Sequence, residues 1–295
     1  MKSVFLSLLV LCSISTVAQQ EPTFVSEGFT PLWSNPASFG SWNKLSVNAM
    51  ASAKNVGLDG APRSFMLNAE FDVVWGAKGG KREFNMPIGF IFNADNVGFS
   101  NYISVGVPIN FQFKLSNSRL AIGLTPGYKS LKFSSDWVPP QTIIDPLLPV
   151  QSPKCDFNLD AGIFWYSEKA YAGLSMTQLN RPDLGFSTAI HYHLNGGYRF
   201  SIGQHYIFPQ LQIKFDGATA AFWNLNYFQF KEDLFSIGIG VGGGMDLLLA
   251  ATARYKQFKL AYNYDYVTGP LAEYTKGSHQ IRLSFIVDKA GKNKL

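Results

Sequence analysis

The chain has little charge. Asp, Glu, Lys and Arg together make up 15% of its 295 residues, against about a quarter in an ordinary soluble domain. The net charge is only +5 and no run of five like charges occurs, so there is no basic patch of the kind that binds nucleic acid. Cysteine is nearly absent. Of the two, Cys12 falls in a leader segment and Cys155 stands alone. A lone cysteine closes no internal disulfide and builds no cysteine metal site, and Cys155 reads as a small buried side chain. Long apolar runs are missing too. Beyond the leader no stretch of 18 apolar residues exists, which excludes a transmembrane helix.

The leader has a positive Lys2, an apolar run from Val4 to Leu11 broken only by Ser7, and a small-residue site at Thr16-Val17-Ala18. This is the pattern of a signal peptide over 1–18, cleaved near Ala18 so that the mature chain begins at Gln19. Acylation of Cys12 competes, but Leu11 precedes it where a small residue is expected. Aromatic residues are abundant at 15%. Few charges and many rings behind a signal peptide suit a protein whose outer solvent is lipid, although a secreted β-sandwich fits the composition as well.

The patterning is more decisive. Successive side chains of a β-strand point to opposite faces. In Arg63 to Trp75, Phe65, Leu67, Ala69, Phe71, Val73 and Trp75 share one face, and Ser64, Asn68, Glu70 and Asp72 the other. In Tyr102 to Leu115, Ile103, Val105, Val107, Ile109, Phe111, Phe113 and Leu115 oppose Ser104, Gly106, Asn110, Gln112 and Lys114. The same grammar recurs in Ile207 to Phe215, Phe258 to Tyr266 and Ile281 to Val287. Each segment is about ten residues, the length a tilted strand needs to cross the hydrocarbon layer. About fourteen segments follow one another, centred near 48, 69, 89, 108, 125, 161, 172, 195, 210, 225, 238, 251, 262 and 282. Those near 125 and 172 are the weakest, and a count of twelve stays open.

The fold class expected is therefore all-β: a transmembrane antiparallel β-barrel of about fourteen strands with periplasmic N- and C-termini. Alternate links are longer, as on the outer side of such barrels: Lys54–Pro62, Ala94–Asn101, Lys132–Lys154, Thr177–Thr188, Asp216–Ala218, Gly242–Asp246 and Thr268–Gly277. Residues 76–83 are an exception on the inner side. Trp75, Trp165-Tyr166, Tyr198 with Phe200, Tyr227-Phe228 and Tyr266 fall at strand ends, as in interfacial girdles. The expected organisation is a signal peptide at 1–18, a periplasmic N-terminal segment at 19–42 packing on the barrel, the barrel at 43–287 and a short tail at 288–295.

No catalytic, cofactor or metal site stands out. His191 and His193 share one strand face, a spacing that can hold a metal, yet no Cys or second histidine motif supports them and they read as lumen hydrogen-bonders. Val241-Gly242-Gly243-Gly244 lacks the Lys and Ser/Thr of a phosphate loop and reads as a turn. The polar face would also carry Glu70, Asp72, Lys114, Asp156, Asp160, Arg199, Lys214, Arg254, Lys259, Asp265 and Arg282, so the lumen is either filled or open. Two segments lack alternation. The long link 132–154 carries Trp137, Pro139, Pro140, Ile143, Ile144, Leu147 and Leu148, and reads as a lid or as a docking surface for another protein. The stretch from Gln19 to Trp42 carries Phe24, Phe29, Leu32, Trp33, Phe39 and Trp42, which need burial at the barrel mouth or inside its lumen.

Short motifs add a resemblance. Gln19-Gln20-Glu21-Pro22 with Phe24, then Phe29-Thr30-Pro31-Leu32-Trp33-Ser34-Asn35-Pro36-Ala37-Ser38-Phe39-Gly40, resembles the opening of the PorP/SprF family, and so does Val56-Gly57-Leu58-Asp59-Gly60-Ala61-Pro62. One departure is the pair Lys54-Asn55, where the family usually carries Gln-Trp. The resemblance implies a non-enzymatic outer-membrane protein of Bacteroidetes, without cofactor, linked to type IX secretion and gliding. It implies partners of two kinds: a secreted adhesin held through its C-terminal domain, and periplasmic ring lipoproteins or a peptidoglycan-binding protein. A channel for small or hydrophobic solutes is the alternative.

Overall fold

The computed structural model describes residues 32–72, 84–133, 153–185, 188–216, 220–230, 234–243 and 245–288. Seventeen strand segments follow a short 3-10 turn at Pro36–Ser38: β1 Asn43–Ala53, β2 Arg63–Phe71, β3 Phe84–Asn85, β4 Ile88–Val97, β5 Ser100–Gly106, β6 Ile109–Leu115, β7 Ser118–Phe133, β8 Lys154–Ser167, β9 Ala170–Thr177, β10 His191–Tyr198, β11 Phe200–Ile202, β12 His205–Phe215, β13 Ala220–Phe230, β14 Phe235–Val241, β15 Leu247–Tyr255, β16 Phe258–Tyr266 and β17 Ser278–Asp288. Three pairs of segments are single strands with a local break. Pro87 and Pro108 have no N–H to give the ladder, yet the register runs through them unshifted. Phe84 faces Phe113, Ile88 faces Ile109 and Ile91 faces Gly106. β10 and β11 likewise share β12. The barrel thus has fourteen strands.

Every strand pairs antiparallel with its sequence neighbours, and β1 closes the circle by pairing with both β2 and β17. Closure matters because an open edge in lipid would strand unpaired N–H and C=O groups. Two ends result. One carries two-residue turns at 116–117, 168–169, 203–204 and 256–257, and the other carries most of the long links.

The alternation divides the wall. Ile239, Leu174 and Leu283 are 57%, 53% and 53% exposed on the outside, whereas Asn68, Glu70, Gln112, Gln212, Lys259 and Arg282 are buried on the inside. Four expectations need correction. The link expected over Ala94–Asn101 is only Gly98-Phe99, because Asn93 and Asp95 are lumen-facing residues that prolong β4. Gly98 has φ +57, which suits glycine in so tight a turn. Tyr166 and Tyr227 are buried in the lumen rather than girdling the barrel, while Trp165, Tyr198, Phe200 and Tyr266 do face outward. Cys155 is exposed, since it lies one residue into β8 at the long-link end. Lys114 is exposed as well, at the short-turn end of β6.

The outward face sets a test. Ile239 lies mid-strand in β14, and Ile239→Arg is expected to cost about 2–4 kcal/mol of barrel stability if that face meets the bilayer midplane. Urea unfolding in lipid vesicles measures it, and an unchanged midpoint would place that face outside the hydrocarbon.

Candidate functional site: a plugged lumen and a braced rim

Residues 32–42, just ahead of β1, lie inside the barrel. Ser34, Asn35, Ala37, Ser38, Phe39 and Ser41 are all at most 1% exposed. Their local shape follows from their types. Asn35 caps the 3-10 turn, its Oδ1 accepting from the Ala37 N–H at 2.9 Å, the usual role of Asn at that position. Pro36 opens the turn, where its missing N–H costs nothing. Gly40 has φ +67, and a side chain there would overlap Pro87.

The wall receives this turn on glycines. A Cβ at Gly123 would overlap the backbone of Pro36 and Ala37, and one at Gly162 would overlap the Asn35 carboxamide. At Gly89 it would lie 2.6 Å from the Phe39 ring, and at Gly173 2.7 Å from Asn35 Nδ2. All four glycines face inward, next to outward-facing neighbours such as Ile122 and Ile163. Glycine inside a strand commonly marks such a backbone approach.

Polar wall groups then satisfy the plug's backbone. Asn110 Nδ2 donates to the carbonyls of Ala37 and Phe39 at 2.7 and 2.6 Å, and Gln112 Nε2 to Phe39 at 3.2 Å. Tyr166 OH holds Gln112 by donating to its Oε1 at 2.9 Å. Ser175 Oγ donates to the Ser34 carbonyl at 2.6 Å, and Asn35 Nδ2 to that of Ile163 at 3.1 Å. Glu70 joins plug to wall, accepting from the Gly40 N–H and from Ser46 Oγ, both at 2.7 Å. Trp42 ends the plug in an aromatic cluster, 5.4 Å from Phe164, 5.6 Å from Tyr171 and 6.1 Å from Tyr166 between ring centroids. Phe208, Tyr227 and Leu248 belong to the same buried cluster.

The second half of the motif sits at the other end. The Val56 N–H donates to the Gly277 carbonyl at 2.8 Å, and the Lys276 N–H to the Val56 carbonyl at 2.6 Å. The Asn55 N–H donates to Ser278 Oγ at 3.1 Å. These bonds lash the first hairpin to the last, across the closing seam. Gly60 adds the neighbouring turn, accepting from the Gly98 N–H at 2.8 Å, and its φ of +71 keeps glycine there. Thr268 ties in the link 242–246 through Asp246 Oδ1 and the Met245 carbonyl at 3.0 and 3.2 Å. Asn55 has φ +47, a conformation Asn tolerates better than most residues, so the departure at this position fits its backbone. Asp59 is exposed, and Ala61 and Pro62 help close the loop, the Lys54 N–H donating to the Pro62 carbonyl at 2.9 Å.

The sequence matches the family described as type IX secretion system membrane protein PorP/SprF over residues 16–285. The chain belongs to the PorP/SprF family. It is an outer-membrane β-barrel of type IX secretion. Among solved structures it is similar to outer membrane phospholipase A from Escherichia coli, at 9% identity and a TM-score of 0.42, covering 82% of this chain and 92% of that one. BamA from Haemophilus ducreyi lacking POTRA domains 1–3 gives 9% and 0.47, with 82% and 70% covered. The TodX monoaromatic hydrocarbon channel deltaS2 mutant gives 9% and 0.46, with 86% and 91% covered. Likeness at these levels bears on no activity. No curated protein sequence matches the chain.

Other expected residues are placed less informatively. His191 and His193 are buried and face the lumen, His193 Nε2 lying 3.3 Å from Thr177 Oγ1. Among the described residues no group of three His, Cys, Asp or Glu could hold a metal. Trp137, Pro139, Pro140, Ile143, Ile144, Leu147 and Leu148 lie outside the described residues, as do the expected signal peptide at 1–18, residues 19–31, Trp75 and the tail beyond Asp288.

The plug contacts predict two outcomes. Glu70→Ala leaves the buried Gly40 N–H without its acceptor, and is expected to cost about 1–3 kcal/mol in unfolding free energy. Gly162→Val puts branched carbons where the Asn35 carboxamide sits, and is expected to expose the plug to protease while the heat-modified gel shift of the barrel persists. Equal protease resistance in wild type and Gly162→Val would remove the plug from that wall.

Proposed function

We propose that this PorP/SprF barrel is a non-enzymatic scaffold that holds a secreted type IX protein at the cell surface, through that protein's C-terminal domain. The observation that supports this reading is the plug. A lumen occupied by the chain's own covalently attached segment serves poorly as a passage, so the mouths and rim remain as the working surfaces. The long links gather at one mouth, and three of them are hydrogen-bonded into a rigid rim. A rigid rim loses little entropy on binding. In this reading the long links, 132–154 included, meet the secreted partner, while the short-turn end meets periplasmic lipoproteins or a peptidoglycan-binding protein.

Purification from native outer membranes with mass spectrometry of co-purifying proteins tests the proposal. A secreted protein bearing a type IX C-terminal domain is expected, and its loss is expected on deleting residues 137–148 from a barrel that still shows its heat-modified gel shift. Recovery of neither a secreted C-terminal domain nor a periplasmic lipoprotein would refute the scaffold reading. The alternative is a channel for small or hydrophobic solutes, against which the plug seated in the lumen counts.

A further inference from the structure

The short-turn end carries an excess of positive charge, and the layout of that charge is specific. In the β6–β7 hairpin Lys114 faces Arg119 directly across the turn 116–117. In the β15–β16 hairpin Arg254 faces Lys259 across the turn 256–257. Like charges set opposite one another weaken a hairpin, so these pairs do nothing for the strands that carry them. Lys169 and Lys256 add exposed cations at the turn tips. Among the side chains described at this end the acids are Asp72 and Glu168, and Glu70, slightly deeper, is engaged by Gly40 and Ser46. Direction matters as much as number, because side chains of one parity share a strand face. Lys114 continues the inward row of Asn110 and Gln112, and Arg119 that of Ala121 and Gly123. Arg254 continues the row of Ala250 and Thr252, and Lys259 that of Ala261 and Asn263. The four cations therefore border the mouth of the lumen. The outward rows of the same strands end instead in exposed Leu115, Tyr255 and Phe258.

We infer that the short-turn mouth is a docking site for an acidic protein segment, whose Asp and Glu carboxylates approach along the barrel axis and lie between the facing cations. The inference rests on the reading that this end meets a periplasmic protein, and it adds the charge by which that protein is recognised. A carboxylate set between Lys114 and Arg119, or between Arg254 and Lys259, turns a repulsive pair into two charge-assisted contacts. The Arg254 Nε donates to the Lys256 carbonyl at 3.1 Å, which holds this guanidinium against its turn. Lipid headgroups approach from the side, where the rows end in apolar and aromatic residues, so the axial mouth suits a protein segment better than a membrane phosphate. A positive mouth also speeds encounter with an acidic partner, an effect that salt screens.

A fluorescein-labelled deca-glutamate peptide tests the inference, its anisotropy read against the full-length barrel in phosphatidylcholine nanodiscs. The wild-type protein is expected to bind it, more weakly as salt is raised. Lys114→Glu, Lys169→Glu and Lys256→Glu combined are expected to weaken binding about tenfold, and the milder Lys→Gln changes at the same three positions to fall between. The control combines Lys132→Glu, Lys154→Glu and Lys276→Glu, which are exposed towards the long-link end. It changes the net charge equally and is expected to bind like wild type. Each variant is compared only where its heat-modified gel shift matches that of wild type. Absence of peptide binding by wild type, or equal losses in the two Lys→Glu combinations, would overturn the inference. So would loss of wild-type binding when phosphatidylglycerol is added to the nanodiscs, which would give the mouth to lipid headgroups. The peptide assay needs no secreted partner, so it fails or succeeds separately from the surface scaffold reading.

Discussion

The structure depends on the seating of one short turn, Asn35 to Gly40, against a bare backbone wall. A fourteen-stranded barrel encloses more space than its own inward side chains readily fill. Empty apolar space forfeits dispersion contacts, and buried polar space must be hydrogen-bonded. The plug supplies both kinds of partner. Its backbone comes close because Gly89, Gly123, Gly162 and Gly173 offer no side chain, and its carbonyls are met by Asn110, Gln112 and Ser175. The charged lumen residues on this side serve the same end, as Glu70 does in joining Gly40 to Ser46.

The two halves of the family motif acquire separate physical meanings. Asn35-Pro36-Ala37 is the plug's turn. Asn caps it, Pro starts it, and Ala is the size that fits against Gly123. Val56 lashes the first hairpin to the last at the opposite end, where a closed barrel must join its first and last strands, and Gly60 joins it to the neighbouring turn at Gly98. Both halves hold the fold together.

Most of the barrel was legible in the sequence because lipid on one face and a polar interior on the other impose a strict period of two. Thirteen of the fourteen segment centres fall within strand segments, including those near 125 and 172, which belong to β7 and β9, and the one near 108 falls at the Pro108 break between β5 and β6. The misreadings have a common cause. Asp95 and Asn96 look like loop residues, and Tyr166 and Tyr227 like interfacial rings, because composition does not say whether a polar or amphipathic side chain faces water, lumen or headgroup. The plug was legible only as six apolar residues in search of burial. Its seat was written elsewhere, in inward-facing glycines on four strands far from it in sequence, and strand periodicity passes over glycine. The rim bonds run mainly through backbone groups, which side-chain patterns do not report.

The closed lumen is the claim on which the rest stands, and single-channel recording of the purified full-length barrel in a planar bilayer tests it most directly. Wild-type protein with its plug seated predicts no steady conductance at moderate voltage. Stable, ohmic current steps from the intact chain would contradict it and restore the channel reading.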